Sequence, residues 1–336
     1  MVLRDRRGSD AQMVKHYRRL SSPFRRSVVV VMLGVCLALS GCVPADPLRG
    51  KHSPLLFDKG SVARADTLLI LIPGTLTSID IFDPVKVWPV RGYAPVYYRF
   101  PGFDGLPADH VIGMEDAADR IAEFANRYPE KAVRLLGYST GAPIAVLASG
   151  KIHSDDVRIA ALSPAVAHAG GAATGLRVTG NVLASTLRTG TRVHEDVWLD
   201  YYRTLLFCRK GRSNPALADR SDRLVADKKA TLNLPGPALA NAHSRGLRHW
   251  SVPRDLSLDP CRVRFFIGLA DPVFSTAQTM RFSRQLGGVR VVGYPGDGHL
   301  LFRTREPVFA DVLAFFETEI PDSPDPWGQA PLANKD

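Results

Sequence analysis

Apolar residues along the chain fall into two alternating kinds of run. Thr67–Ile72, reading Thr-Leu-Leu-Ile-Leu-Ile, is unbroken and aliphatic, the pattern of a strand buried on both faces, and Pro73-Gly74-Thr75 stops it. Residues 94–99, 132–136, 157–162, 262–267 and 289–294 repeat the strand pattern. Between such runs the period lengthens. Over 112–128, Met114, Ala117, Ala118, Ile121, Ala125 and Tyr128 share one helical face. Residues 140–149 read as a helix with Pro143 in its first turn, where a missing N–H is tolerated. Residues 306–319 form a last amphipathic helix with Val308, Val312, Phe315 and Phe316 inward. Strands alternating with helices predict an α/β fold: a mainly parallel sheet with helices on both faces.

The alternation fails over 165–260. That stretch holds helical fragments such as 193–207, Gly- and Pro-rich joints and no strong strand, with 14 Lys/Arg against 8 Asp/Glu. An insertion between two sheet strands lies over their C-terminal edge, so 165–260 is expected to be a mostly helical cap. The core is then 66–164 and 261–322, led by a linker over 42–65 and followed by a tail over 323–336.

Charge separates the N-terminus from the rest. The chain has 336 residues, 45% of them hydrophobic, four Cys and a net charge of +10. This excludes a largely disordered chain and a disulfide scaffold. Residues 1–41 carry +6 of the charge and end in a short apolar run, Val28–Leu39. A basic segment followed by a short apolar one reads as an export signal, too short for a membrane span. Met13 is an alternative start, and Arg25-Arg26 leaves the export route open. The 295 residues that remain carry only +4, with no zinc-finger spacing or RNP-type motif, so nucleic acid is not an expected partner.

The strongest chemical motif is Gly137-Tyr138-Ser139-Thr140-Gly141, between a predicted strand and a predicted helix. A sharp strand-to-helix turn needs small flanking residues. It lifts the Ser139 hydroxyl above the sheet, beside free N–H groups of a helix N-terminus. A hydroxyl at neutral pH needs a base, and the base an orienting acid. His299, in Gly-Asp-Gly-His, and Asp271, in Gly-Leu-Ala-Asp-Pro-Val, both follow predicted strands and lie at the same sheet edge as Ser139. Asp297 is the rival acid, but two residues from His299 it is poorly placed to face the imidazole, and reads as a turn residue. An oxyanion needs two backbone N–H groups. Thr140 is one candidate; Thr75, with Leu76 second, is the other.

These residues, in this order, resemble the α/β-hydrolase superfamily, and Gly-Tyr-Ser-Thr-Gly, the Asp-Pro-Val loop and Gly-His-Leu-Leu resemble its lysophospholipase-like and serine-aminopeptidase-like branch over residues 66–320. The chain departs at Pro73, where many members have His before the Gly. The resemblance implies a serine hydrolase acting through an acyl-enzyme on carboxylic esters, lipid or small acyl, without a metal or other cofactor. Peptide or amide hydrolysis is the alternative within the fold. A non-catalytic envelope binding protein on a hydrolase scaffold is the alternative outside it.

Leu39-Ser40-Gly41-Cys42 resembles a bacterial lipobox, which implies lipidation of Cys42 and anchoring to a membrane of the cell envelope. Val43 rather than Asp after the Cys leans toward the outer membrane. Cys36 falls in the export segment, so Cys208 and Cys261 remain as a possible disulfide. His243 and His249, near Trp250, read as cap packing rather than metal ligands. Pro101-Gly-Phe-Asp-Gly105 holds glycines but has neither phosphate-loop nor dinucleotide spacing.

Overall fold

The structure, a computed structural model, describes residues 52–108, 113–167, 172–191, 193–230 and 250–318. The export segment, Cys42, His243, His249 and the tail 323–336 lie outside them. Seven strands form one sheet: β1 (Leu55–Phe57), β2 (Thr67–Ile72), β3 (Tyr93–Tyr98), β4 (Ala132–Tyr138), β5 (Val157–Leu162), β6 (Val263–Gly268) and β7 (Arg290–Tyr294), in the order β1-β3-β2-β4-β5-β6-β7. All neighbours run parallel except β1, which pairs antiparallel with β3. Six strands match the sequence-predicted runs to within a residue or two. β1 is the exception: it lies inside the expected linker. Three residues are too short for a periodic signal, and only pairing with β3 makes them a strand.

Ten helices are described: α1 (Lys59–Arg64), α2 (Met114–Ala125), α3 (Gly141–Ser149), α4 (Ala172–Thr189), α5 (His194–Phe207), α6 (Lys210–Ser213), α7 (Pro215–Ala230), α8 (Thr276–Gln285), α9 (Leu301–Thr304) and α10 (Val308–Glu317). A 3-10 stretch, Ile79–Arg91, joins β2 to β3. Its Pro84 and Pro89 remove backbone donors, which blurs any α-helical pattern there. None of the described helices is long and apolar enough to cross a membrane.

Strand side chains alternate between two apolar layers. Leu68, Ile70 and Ile72 of β2 join the first, with α1, α2, α3 and α8; Leu69 and Leu71 join the second, with the 3-10 stretch, α5, α9 and α10. Five consecutive β2 side chains, Leu68–Ile72, are fully buried, which is why that run is unbroken in sequence.

Between β5 and β6 the described residues hold α4 to α7 and no strand. These helices are not alike. Leu199, Tyr202, Leu205, Leu206 and Phe207 of α5 are buried, and the last four belong to the second layer. Leu176, Leu183 and Leu187 of α4 are exposed.

The N-terminal ends of β4 to β7 carry an arginine row on the second face: Arg134 opposite Arg158, and Arg264 opposite Arg290. Arg134 is buried and reaches Asp156 at 2.6 Å. Arg158 donates to the main-chain carbonyls of Phe315, Phe316 and Thr318 at the end of α10. The Arg264 guanidinium lies 4.4 Å from the Phe315 ring centre. Burial and the adjacent Arg290 push its pKa down.

Candidate active site

Ser139 leaves β4 with φ +49°, a left-handed backbone that side chains rarely adopt. The turn exists because of its flanking glycines. A Cβ on Gly137 would sit 2.4 Å from the Gly141 carbonyl oxygen, and one on Gly141 only 2.0 Å from that of Ile72. The Ser139 N–H donates to Leu162 of the neighbouring strand, and its carbonyl accepts from Ala142 and Ala165. Three hydrogen bonds therefore hold the strained residue in place.

Two other loops of the same sheet edge reach Ser139. His299, beyond β7, has Nε2 3.1 Å from Ser139 Oγ. Its Nδ1 lies 2.7 Å from Asp271 Oδ2, beyond β6. The other carboxylate oxygen, Oδ1, accepts from the N–H groups of Val273 at 2.7 Å and Phe274 at 3.0 Å. One oxygen is thereby anchored and the other left for the imidazole. Both side chains are at least nine-tenths buried, so water hardly screens the pair. With Nδ1–H donated to Asp271, Nε2 is an acceptor aimed at the Ser139 hydroxyl.

The imidazole lies between the rings of Tyr138 and Phe274, with centroids 5.4 and 5.8 Å away. Burial, and next the Asp271 charge, push the Tyr138 and Tyr201 phenols up in pKa. Phenols pushed up from their ordinary value near 10 stay protonated near neutral pH, so neither competes with His299 as a proton acceptor.

Asp297, the rival acid, does not face His299. It is buried against Arg305, whose Nε donates to its carboxylate at 3.1 Å, and its carbonyl accepts from Ala270. It is an ion-paired strut between the Asp271 and His299 loops rather than a plain turn residue. The two oxyanion candidates meet beside Ser139: Thr75 Oγ1 and Thr140 Oγ1 are 2.9 Å apart. The N–H groups of Thr75, Leu76 and Thr140 donate to no described residue.

Cys208 and Cys261 are both free thiols. Cys208 ends α5 near the C-terminal sheet edge, whereas Cys261 precedes β6 at the opposite edge. A six-residue strand spans about 20 Å, far beyond the reach of a disulfide. This arrangement does not allow the expected pair.

Two supports of the site have no signature in the motifs. The main-chain carbonyls of Leu206 and Leu205 accept from Gly298 at 2.7 Å and Leu300 at 3.2 Å, clamping the His299 loop to the end of α5. Arg177 of α4 donates to the Val273 carbonyl and to Gln278 of α8. The aromatic run Trp198 to Phe207 signals burial, but not against which loop.

A sequence model described as the alpha/beta hydrolase family matches residues 69–312. No curated protein matches the chain. Solved structures of the same fold include BpoC of Mycobacterium tuberculosis H37Rv, described as a candidate non-heme bromoperoxidase, at 15% identity and TM-score 0.59, covering 74% of this chain and 91% of that one. MGS-M2, an alpha/beta hydrolase enzyme from a Medee basin deep-sea metagenome library, matches at 13% identity and TM-score 0.58, over 77% and 92% of the two chains. A thermophilic esterase from Thermogutta terrifontis matches at 17% identity and TM-score 0.52, over 76% and 92%.

Proposed function

The chain belongs to the alpha/beta hydrolase family, and on that premise we propose that it is a serine hydrolase that cleaves carboxylic esters, lipid or small acyl, through an acyl-enzyme. The observation that carries this reading is one continuous chain of contacts, Ser139 Oγ to His299 at 3.1 Å and His299 to Asp271 at 2.7 Å, on a Ser held at φ +49°. His299 Nε2 takes the hydroxyl proton as Ser139 Oγ attacks the ester carbonyl. Asp271 holds the tautomer and stabilises the imidazolium that forms. The carbonyl oxygen becomes an oxyanion, stabilised by the N–H groups of Thr140 and Thr75. The tetrahedral intermediate collapses, and His299 gives its proton to the departing alkoxide. Water, deprotonated by His299, then attacks the acyl-enzyme and regenerates Ser139.

Within the family, the sequence resemblance to the lysophospholipase-like branch favours a lipid ester, and residues 165–260 would form the cap that selects it. The lipobox-like Leu39–Cys42 supports attachment to the bacterial envelope through a lipidated Cys42. Labelled palmitate should enter the wild type in cells and not Cys42→Ser; equal labelling would overturn the anchor. For the chemistry, a fluorophosphonate should label Ser139, and Ser139→Ala should lose labelling and at least about 10⁴-fold of ester turnover while melting like the wild type. A panel of p-nitrophenyl esters, monoacylglycerols, lysophospholipids and aminoacyl amides tests the substrate class. Turnover confined to amides would replace the ester reading.

A further inference from the structure

The loop that follows β2 is held more firmly than a plain turn requires. Leu76 has φ +62°, a left-handed backbone unusual for a leucine. Thr77 donates through N–H to the Gly74 carbonyl at 3.2 Å and through Oγ1 to the Thr75 carbonyl at 3.3 Å, closing a tight turn around it. Two ties then fix the turn from outside. On one side is the 2.9 Å contact between the hydroxyls of Thr75 and Thr140, the latter side chain buried at the start of α3. On the other is Asp104, in the glycine-containing loop Pro101–Gly105 beyond β3. Its Oδ1 accepts from Ser78 Oγ at 2.5 Å and its Oδ2 from the Ile79 N–H at 3.1 Å. Asp104 is itself at φ +52°, and Arg99 donates to its carbonyl at 2.9 Å and to the Ser53 carbonyl at 2.8 Å.

We propose that Asp104 and the Thr75–Thr140 hydroxyl pair are positioning residues that hold residues 74–78 at the separation from Ser139 that an ester oxyanion requires. The inference rests on the serine-hydrolase reading and deepens it. The N–H groups of Thr75 and Thr140 sit on separate loops, and nothing covalent sets the distance between them. The hydroxyl contact spans that gap directly. Asp104 secures the far end of the turn, so that the left-handed Leu76 does not relax and swing Thr75 away. An oxyanion hole acts by being in place before charge develops, and misplacement by about 1 Å costs orders of magnitude in rate. The turn therefore acts on kcat more than on KM.

The test compares Asp104→Gly, Asp104→Ala, Thr75→Val, Thr140→Val, Thr140→Ser and the double Thr75→Val/Thr140→Val with the wild type. Gly adopts the left-handed backbone freely, so Asp104→Gly removes both acceptors without backbone strain. Steady-state kinetics on a p-nitrophenyl ester are read with thermal melting, fluorophosphonate labelling and the affinity of an alkyl boronic acid, which binds Ser139 as a tetrahedral anion. Asp104→Gly and Thr140→Val should each lose about tenfold in kcat with KM changed less than about twofold. Boronic-acid affinity should fall by the same factor as kcat/KM. Thr140→Ser should fall less than Thr140→Val, and the double variant should be no worse than its worse single. Folded variants that match the wild type in kcat, or that lose only KM, would overturn the inference alone. So would additive losses in the double variant. A folded wild type that neither labels nor turns over would overturn the reading of the site, and the inference with it.

Discussion

The two edges of the sheet use the same strands for opposite ends. β4 carries Arg134 and leads to Ser139; β6 carries Arg264 and leads to Asp271; β7 starts with Arg290 and leads to His299. At the N-terminal edge three of the four arginines of the row are engaged. Arg134 is spent on Asp156, Arg158 on the carbonyls ending α10, and Arg264 on the Phe315 ring. At the C-terminal edge Ser139 and His299 are paired only with each other and with Asp271, and the N–H groups of Thr75 and Thr140 donate to no described residue. Charges that are satisfied hold the fold together. Chemistry needs groups whose partner arrives with the substrate, and the fold supports them from behind.

The comparison breaks if damage at one edge looks like damage at the other. The largest expected effect is Asp271→Asn, with kcat down about 10⁴-fold and the denaturant midpoint nearly unchanged, because the loss is one of tautomer rather than packing. Leu206→Ala should do two things at once. Emptying a fully buried position should cost about 2–4 kcal/mol in denaturant unfolding, and loosening the carbonyl that holds Gly298 should lower kcat about tenfold. A stability loss with unchanged kcat would show that the end of α5 merely packs.

Asp156→Asn should do the converse: about 1 kcal/mol of stability lost near neutral pH, with kcat unaffected. Burial alone would raise the Asp156 carboxyl, but the hydrogen bond and charge of Arg134, with Arg158, outweigh it and hold it below its ordinary 3.8. A carboxylate with a depressed folded pKa stabilises above its unfolded value and loses that contribution as pH falls through the folded one. The gap between wild type and Asp156→Asn should therefore close below about pH 4. A gap of constant size, followed by thermal melting against pH, would assign the loss to packing. The smallest effect is expected at Leu187→Ser on α4, three-quarters exposed: within about 0.5 kcal/mol in stability. A larger loss would mean that α4 is bound into the core like α5.

Legibility in the sequence followed the range of the cause. The strand at 67–72 and the turn at Ser139 were readable because burial on both faces forces a continuous apolar run, and a sharp turn forces small flanking residues. Asp271 and His299 were readable as candidates because parallel strands deliver their following loops to one edge. β1 was not, since three residues become a strand only when β3 is beside them. Nor was Asp104, whose partners Ser78 and Ile79 lie some 25 residues away. The suggested pairing of Cys208 with Cys261 failed because Cys261 precedes a strand, whereas Cys208 ends a helix whose own pattern does not say which sheet edge it reaches.

The sequence by itself determined the parallel α/β sheet, the strained Ser139 turn and the order of the residues that approach it. Hydrophobic periodicity and local backbone sterics act over a few residues and leave their mark in the text. Only the tertiary structure decided that Asp297 braces Arg305 rather than His299, that α5 belongs to the core while the leucines of α4 face outward, and that two threonines 65 residues apart touch beside Ser139. Those outcomes depend on which surfaces meet, and no short-range rule of propensity or pattern encodes such meetings.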